Sequence, residues 1–511
     1  MNTRFGAAIV LACAPVPALA QTTVSDVDAL KAEIAALRAQ LFALEAKVEA
    51  KTVVAVALPA AIPAKPAALQ TKIAFKGAPE FSSEEGWTFK PRGRLHYDTG
   101  FVSTPGAYAR DRNLGFNSRL RRIRLGVEGT MPGGFGYKVE MDFANAAVAV
   151  GDAFLSYQYG KSPLSVRVGN FETLNGIEQV SSANNISFLE RAAFNDAFLN
   201  ARRLGAAVAW QDDHLRLEAG MFAAHSLDSS FDNDGWIGAA RAVYAPRALG
   251  GTLHFGTGIQ LRNFAENAGG VASAGVNMPS TNQLARYRAR PNSQLTDVRF
   301  VDTGSFAASR DRIIALEVAG IFPGWYVAGE AQWLHASAYR PGSTVGGLDA
   351  FAGGNIAIAP SSDPNFFGGY VELGWFPTGE TRGYSKGTWA RTKVLNPLAK
   401  GGPGAFQLMA RLDYVSLDNA ALIAAPTNDF TTGVSTLASA ATRLGRGGTQ
   451  TSYLIGANWY PLDNIRLMVN YGHVSVEGGP LASIVLPTSA LPVDLRRYGV
   501  NVLQTRVQLE F

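Results

Sequence analysis

Phe89-Lys90-Pro91-Arg92-Gly93-Arg94-Leu95-His96-Tyr97-Asp98-Thr99-Gly100-Phe101 divides its side chains between two faces with a period of two. Phe89, Leu95, Tyr97 and Phe101 share one parity, and Lys90, Arg92, Arg94, His96 and Asp98 share the other. Successive side chains of a strand point to opposite faces, so the stretch predicts a strand with one apolar and one charged side. The division returns along the chain: Ile123, Leu125 and Val127 against Arg122, Arg124 and Glu128; Tyr137, Val139, Met141 and Phe143 against Lys138, Glu140 and Asp142. It returns again with Leu164, Val166 and Val168 against Ser165 and Arg167, with Leu215, Leu217 and Met221 against Arg216 and Glu218, and with Phe406, Leu408, Leu412 and Tyr414 against Gln407, Arg411 and Asp413. One face stays apolar while the other collects charge.

A soluble β-sandwich sends large aliphatics inward and small polar residues outward. A transmembrane barrel sends an apolar band to lipid and charge into a wet lumen. Tyrosine and tryptophan near strand ends, at Trp236, Tyr244, Trp325, Tyr326, Trp333, Trp375, Trp459 and Tyr460, fit interfacial girdles. Many exposed strands would aggregate through open edges, and closure removes them. The final segment alternates Leu503, Thr505, Val507, Leu509 and Phe511 against Gln504, Arg506, Gln508 and Glu510, so the chain ends on an amphipathic strand with a terminal aromatic of the kind that barrel assembly machinery recognises. The composition agrees: 54 glycines, 10% aromatics and 47% apolar against 17% charged residues, with a mean hydropathy near zero. No apolar stretch beyond the N-terminus is long enough for a membrane helix. The net charge of +5 is small for 511 residues, so the placement of the cations matters more than their sum.

The N-terminus reads as a secretory signal peptide over residues 1–20, with Arg4 as the basic region, Phe5 to Ala14 as the apolar region and Ala18-Leu19-Ala20 as the cleavage site. A lipoprotein signal ending at Cys13 is the alternative. Cys13 is the only cysteine, so no disulfide is expected in the exported chain. Residues 21–51 carry Val27, Leu30, Ile34, Leu37, Leu41, Leu44 and Val48 at alternating spacings of three and four, a heptad seam that predicts a coiled-coil helix. An amphipathic helix lying on the barrel is the alternative. Residues 52–80, rich in alanine and broken by Pro59, Pro63 and Pro66, read as an extended linker. Residues 81–511 read as one transmembrane β-barrel.

Several segments resemble the phosphate-selective porin O and P family of Gram-negative outer membranes. They are Phe89 to Leu95, Arg121-Arg122-Ile123-Arg124-Leu125-Gly126-Val127-Glu128-Gly129, Arg167-Val168-Gly169-Asn170-Phe171-Glu172, Phe188-Leu189-Glu190-Arg191, Gly368 to Arg382 and Gly404 to Tyr414. The resemblance spans most of residues 81–511. It implies a sixteen-stranded homotrimeric barrel with inward-folded loops and an arginine-lined path for small anions. It also places the constriction loop after the fifth strand, between Glu172 and Arg203, with Glu190, Arg191 and Arg202 inside it. The segment is too long for a hairpin turn, and long loops in compact proteins are usually functional. No lysine occurs between Lys161 and Lys386, whereas phosphate-selective members draw much of their anion site from constriction lysines, so the resemblance implies the pore more firmly than the phosphate specificity.

Two common enzymatic patterns are missing from the sequence: it has no His-Glu-x-x-His and no phosphate loop. No cofactor, metal or nucleic-acid partner is expected. Glu140 and Asp142 could suggest a glycosidase pair, but their strand parity favours a solvated luminal face. Arg92, Arg94, Arg122, Arg124, Arg167, Arg216, Arg411 and Arg506 all lie opposite the apolar faces and are the expected pore-lining anion-binding residues. Fixed guanidinium groups in a pore attract anions and bind carboxylate or phosphate through paired N–H groups. The competing reading pairs each with Glu128, Glu140, Asp142, Glu218 or Asp413 to stiffen the wall. The sequence thus predicts an outer-membrane porin for small solutes, in contact with membrane lipid, with anions such as phosphate or polyphosphate favoured. The alternatives are an outer-membrane anchor or adhesin whose coiled coil tethers another envelope layer, and a soluble secreted β-protein.

Overall fold

The computed structural model describes residues 24–53, 71–75, 77–109, 113–144, 148–224, 235–264, 284–338, 348–350, 356–358, 360–422 and 446–511. The expected signal peptide and most of the expected linker lie outside these residues. The chain forms two units, residues 1–69 and 70–511. The first contains one α-helix, Val24–Val53. Its seam residues Ile34, Leu37, Leu41 and Leu44 are exposed in the single chain.

The second unit is a closed antiparallel barrel of sixteen strands. In chain order they are β1 (Thr88–Val102), β2 (Gly115–Met131), β3 (Phe135–Asp142), β4 (Ala149–Gln158), β5 (Leu164–Glu172), β6 (Arg202–Gln211), β7 (Leu215–Ala223) and β8 (Trp236–Tyr244). They continue with β9 (Gly251–Asn263), β10 (Phe306–Phe322), β11 (Trp325–Ala338), β12 (Asn365–Trp375), β13 (Ala405–Ser416), β14 (Thr449–Leu462), β15 (Ile465–Glu477) and β16 (Arg497–Glu510). Each pairs with its sequence neighbours. The last closes on the first, from Val502 opposite Val102 to Glu510 opposite Arg94. The end of the expected linker is strand: Lys72–Phe75 pairs with Pro79–Ser82, which continues into β1 through Phe81 opposite Phe89. No proline interrupts Lys72-Ile73-Ala74-Phe75, so each of its backbone N–H groups is available to the ladder.

The parity read from the sequence is the parity of the wall. Leu95, Tyr97 and Phe101 face outward while Arg94, His96 and Asp98 are buried inside. An arginine on the lipid face at mid-membrane costs about 2–4 kcal/mol, which enforces this division strand by strand. Two of the aromatics expected in the girdles do not lie there: Tyr326 and Tyr460 are buried in the lumen, and the adjacent Trp325 and Trp459 take the outward side. Gly93 is required by closure. Its backbone exchanges both hydrogen bonds with Phe511 at 3.0 Å, and the Phe511 ring lies where a Cβ on Gly93 would be.

One end of the barrel carries short turns, at 132–134, 159–163, 212–214, 245–250, 323–324 and 463–464. The other carries the longer connections, including 173–201 and 264–305. Short periplasmic turns and longer extracellular loops are the rule for outer-membrane barrels. The segment 376–404 breaks it, because it is long and belongs to the short-turn end. It folds inward and joins Ile177, Tyr326 and Tyr460 through Phe376, Trp389 and Val394 in one apolar cluster. From the opposite end, Phe194 and Phe198 of the 173–201 loop pack with Tyr287, Leu295 and Phe300 of the 264–305 loop. These clusters fill much of the lumen and leave its open space against the β2–β7 wall.

Candidate pore and constriction

Two chambers stand out in the lumen among the described residues. A vestibule of about 1140 Å³ at the short-turn end is lined by Arg94, Lys138, Asp152, Arg167, Glu172, Arg202, Arg216, Glu218 and Lys386, among others. A chamber of about 200 Å³ on the other side of the 173–201 loop is lined by Arg121, Gln179, Glu190, Arg191, Asp196, Asn200, Arg290 and neighbouring residues.

Most of the arginines expected to line the pore stand on the luminal wall in pairs. Arg92 meets Glu128 at 2.8 Å at the rim. Arg94 donates to Glu140 at 2.8 Å. Arg124 donates to Asp142 at 2.7 Å and to Glu140 at 2.9 Å. Arg216 donates to Glu218. Arg411 and Arg506 have luminal parity but do not line open space, because the 173–201 loop lies over them. Arg411 holds Glu178 of that loop at 2.6 Å together with Glu372 of the wall. Arg506 binds Asp98 through two N–H groups at 2.6 and 2.7 Å and reaches Glu190 at 2.8 Å. Both arginines anchor the loop.

Two of the expected pore-lining arginines, Arg122 and Arg167, have no carboxylate within ion-pair distance among the described residues. Arg122 is buried and donates to His96 Nδ1 at 3.3 Å. Arginine can only donate, so that nitrogen accepts and His96 Nε2 donates to Asn184 of the loop at 3.0 Å. Arg167 lies over the rings of Phe154 and Phe171 at 4.7 and 5.1 Å, where the ring faces partly stabilise its charge.

The constriction loop supplies the other members. Glu172, the last residue of β5, meets Arg202 Nη1 at 2.7 Å and accepts from Gln179 Nε2 at 2.5 Å. Arg191 is pinned by three backbone carbonyls, donating to Glu178 at 2.8 Å, Gln179 at 3.3 Å and Ser181 at 3.0 Å. Its burial lowers the guanidinium from its ordinary value, against the opposing pull of Glu172 and Glu178. Burial would raise the Glu190 carboxyl, but Arg121, Arg122 and Arg506 outweigh it and hold the group far below the usual carboxylate range. Arg203 donates to the carbonyls of Ala224 and Arg202 and faces away from both chambers.

Sequence parity alone missed Arg121, which has the parity of the lipid-facing residues. A bulge between the pairs His96–Arg122 and Tyr97–Leu120 inserts it as an extra residue. Its guanidinium therefore turns inward onto Glu190 at 2.9 Å. The adjacent arginines Arg121 and Arg122 were the available signal, since one of two consecutive arginines on an unbulged strand would face lipid. Asp196, with Arg290 and Arg299 from the 264–305 loop converging on it, was also missed. So was the inward segment 376–404, where Trp389 N–H donates to Ser181 at 2.8 Å and Asn185 donates to the Trp389 carbonyl at 3.1 Å.

A closed transmembrane barrel narrowed by an inward loop after its fifth strand defines a channel rather than an enzyme. The sequence pattern of the family described as "Phosphate-selective porin O and P" matches residues 89–490. A protein of Caulobacter vibrioides is 33% identical over 450 residues, covering 86% of this chain and 77% of its own length. The chain belongs to the phosphate-selective porin O and P family and is an outer-membrane porin. Among solved structures it is similar to the outer-membrane channel DcaP of Acinetobacter baumannii, with a TM-score of 0.47 at 12% identity over 84% of this chain and 99% of that one. It is also similar to an anion-selective porin from Comamonas acidovorans, with a TM-score of 0.45 at 11% identity over 83% and 100% of the two chains.

Proposed function

We propose that the protein is a passive diffusion channel for small hydrophilic solutes, with a moderate preference for anions and no tight phosphate site. The observation that carries the reading is that several arginines are fixed by one edge and leave the other to the chambers. Arg121 binds Glu190 through Nε and Nη2, and Arg191 is held through Nε and Nη2. In both, Nη1 has no hydrogen-bond partner among the described residues. Arg290 is held on both edges, through Nε and Nη1, and keeps Nη2 without a hydrogen-bond partner among the described residues. Arg167 faces the vestibule with no carboxylate partner. Such donors are already oriented, so an anion meets them at little ordering cost. Phosphate specificity is weakened by the absence of lysine from the lining of the inner chamber. Homotrimers in the outer membrane, joined through residues 21–51 as a coiled coil and assembled through recognition of Phe511, complete the proposal.

Reversal potential across a planar bilayer in a salt gradient tests it: the expected sign is that of a moderately anion-preferring pore. The alternative of an anchor for another envelope layer draws on the loops that fill much of the lumen and on the exposed helix seam. A wild-type barrel that inserts without conducting would favour the anchor.

A further inference from the structure

We infer that Arg202, Gln179 and Arg191 form a carboxylate-binding cradle at the constriction, which the channel fills with its own Glu172, so that a passing anion must displace a tethered one. This rests on the reading of the chain as an anion-preferring pore and adds a ligand class, small monocarboxylates.

Glu172 and Arg202 are register partners on β5 and β6, at the point where the constriction loop leaves the wall and rejoins it. The two carboxylate oxygens are claimed from opposite sides, Oε1 by Arg202 of the wall at 2.7 Å and Oε2 by Gln179 of the loop at 2.5 Å. A free carboxylate held by two donors would be clamped in the same manner. Arg191 cannot swing away, because three backbone carbonyls hold it. It makes no ion pair among the described residues, and Glu172 heads the charges acting on it.

The placement distinguishes this carboxylate from a wall brace. Glu172 lines the vestibule, whereas Gln179 and Arg191 line the inner chamber, so the Glu172–Gln179 contact separates the two spaces. Arg202 also donates to Asp152 at 2.7 Å, but Asp152 is shared with Lys138 at 2.5 Å, so a vacated Glu172 site leaves one positive charge for an incoming carboxylate to neutralise. A carboxylate arriving from the inner chamber would replace every hydrogen bond that Glu172 gives up. Chloride would break the same contacts and offer one acceptor centre in place of two. The cradle therefore favours planar two-oxygen anions.

The test uses the full-length protein in planar bilayers, with chloride as the current carrier and acetate as the probe. Glu172→Ala vacates the cradle, and chloride conductance should rise at least twofold over wild type. Millimolar acetate should then reduce that current by half or more, by refilling the site. The control matched in charge and in vacated volume is Glu218→Ala, which removes a vestibule carboxylate paired with Arg216; its current should stay insensitive to acetate. Glu172→Gln, which keeps the side-chain volume, carries the test if the alanine variant does not assemble, with raised chloride conductance and no acetate block expected. Equal acetate responses in Glu172→Ala and Glu218→Ala, or an unchanged conductance in Glu172→Gln, would overturn the cradle. A wild-type pore that prefers cations, combined with acetate block in Glu172→Ala, would overturn the anion reading and leave the cradle standing.

Discussion

Arg122 and Arg124 lie two residues apart on the same luminal face, yet replacing each by glutamine should have opposite consequences for stability. Arg124 bridges Glu140 and Asp142, and its side chain is 14% exposed against 4% and 16% for theirs. Arg124→Gln leaves Glu140 with Arg94 and leaves Asp142 with no cation among the described residues. Breaking a buried pair by removing one partner costs about 3–5 kcal/mol, and the partial exposure of Asp142 puts the expectation near the lower bound. Arg122 has no carboxylate partner, and its Nε finds no acceptor. Its one hydrogen bond, to His96, is worth about 1 kcal/mol net, and removing a buried unpaired charge offsets that loss. Arg122→Gln should therefore be neutral or stabilising, a separation of at least about 2 kcal/mol between the two variants. Both remove one positive charge from the wall, so both should move the reversal potential toward cations. At roughly 8 Å from the ion path a unit charge contributes about 0.5 kcal/mol in water, and about a third of that survives one Debye length, which is about a twofold change in the anion-to-cation permeability ratio. The temperature of heat-modifiable migration in detergent gels measures the first quantity, and bilayer reversal potential the second. If Arg122→Gln lowered the transition temperature as much as Arg124→Gln, the pairing argument would fail.

The protein should fractionate with outer membranes and migrate heat-modifiably; deleting Phe511 should slow assembly, and Gly93→Ala should do the same by displacing the Phe511 ring, whereas normal assembly of Gly93→Ala would remove the closure argument. A synthetic peptide of residues 27–48 should trimerise, because Leu, Ile and Val fill its seam; a monomeric, unfolded peptide at millimolar concentration would count against an autonomous coil. Glu190→Gln should lower the heat-modification temperature at neutral pH, because Arg121 loses its carboxylate while Arg506 keeps Asp98. The Glu190 carboxyl is depressed in the folded state, so its contribution is full above the unfolded value of about 4.3 and is lost as pH falls from there toward the folded value. The gap between wild type and Glu190→Gln should accordingly narrow below about pH 4; a gap that stayed constant to pH 3 would show that the group does not stabilise through its charge.

These outcomes separate what the sequence made legible from what it did not. Lipid on one side and water on the other impose a period of two on each spanning strand, so the barrel, its closing strand and the luminal parity of Arg94, Arg124 and Arg411 could be read locally. The inward loop could be placed by the family resemblance, with its length in agreement, since the span from Glu172 to Arg203 is too long for a hairpin. What each luminal charge does could not be read, because its partner comes from far along the chain. Arg506 meets Asp98 across the barrel closure and Glu190 of the 173–201 loop, and Arg290 and Arg299 converge on Asp196 from another loop. The inward course of 376–404 was hidden for the same reason. Its anchors, Ser181 and Asn185, belong to a loop entering from the opposite end. Arg411 and Arg167 had equal claims by parity, but one is sealed between Glu178 and Glu372 and the other faces a vestibule over two aromatic rings, with no ion pair among the described residues. A luminal arginine can act on a passing ion only with donors that its own partners leave free. On the proposed anion preference, selectivity depends on which edge of each guanidinium the fold has already used, and a count of wall arginines would overstate it.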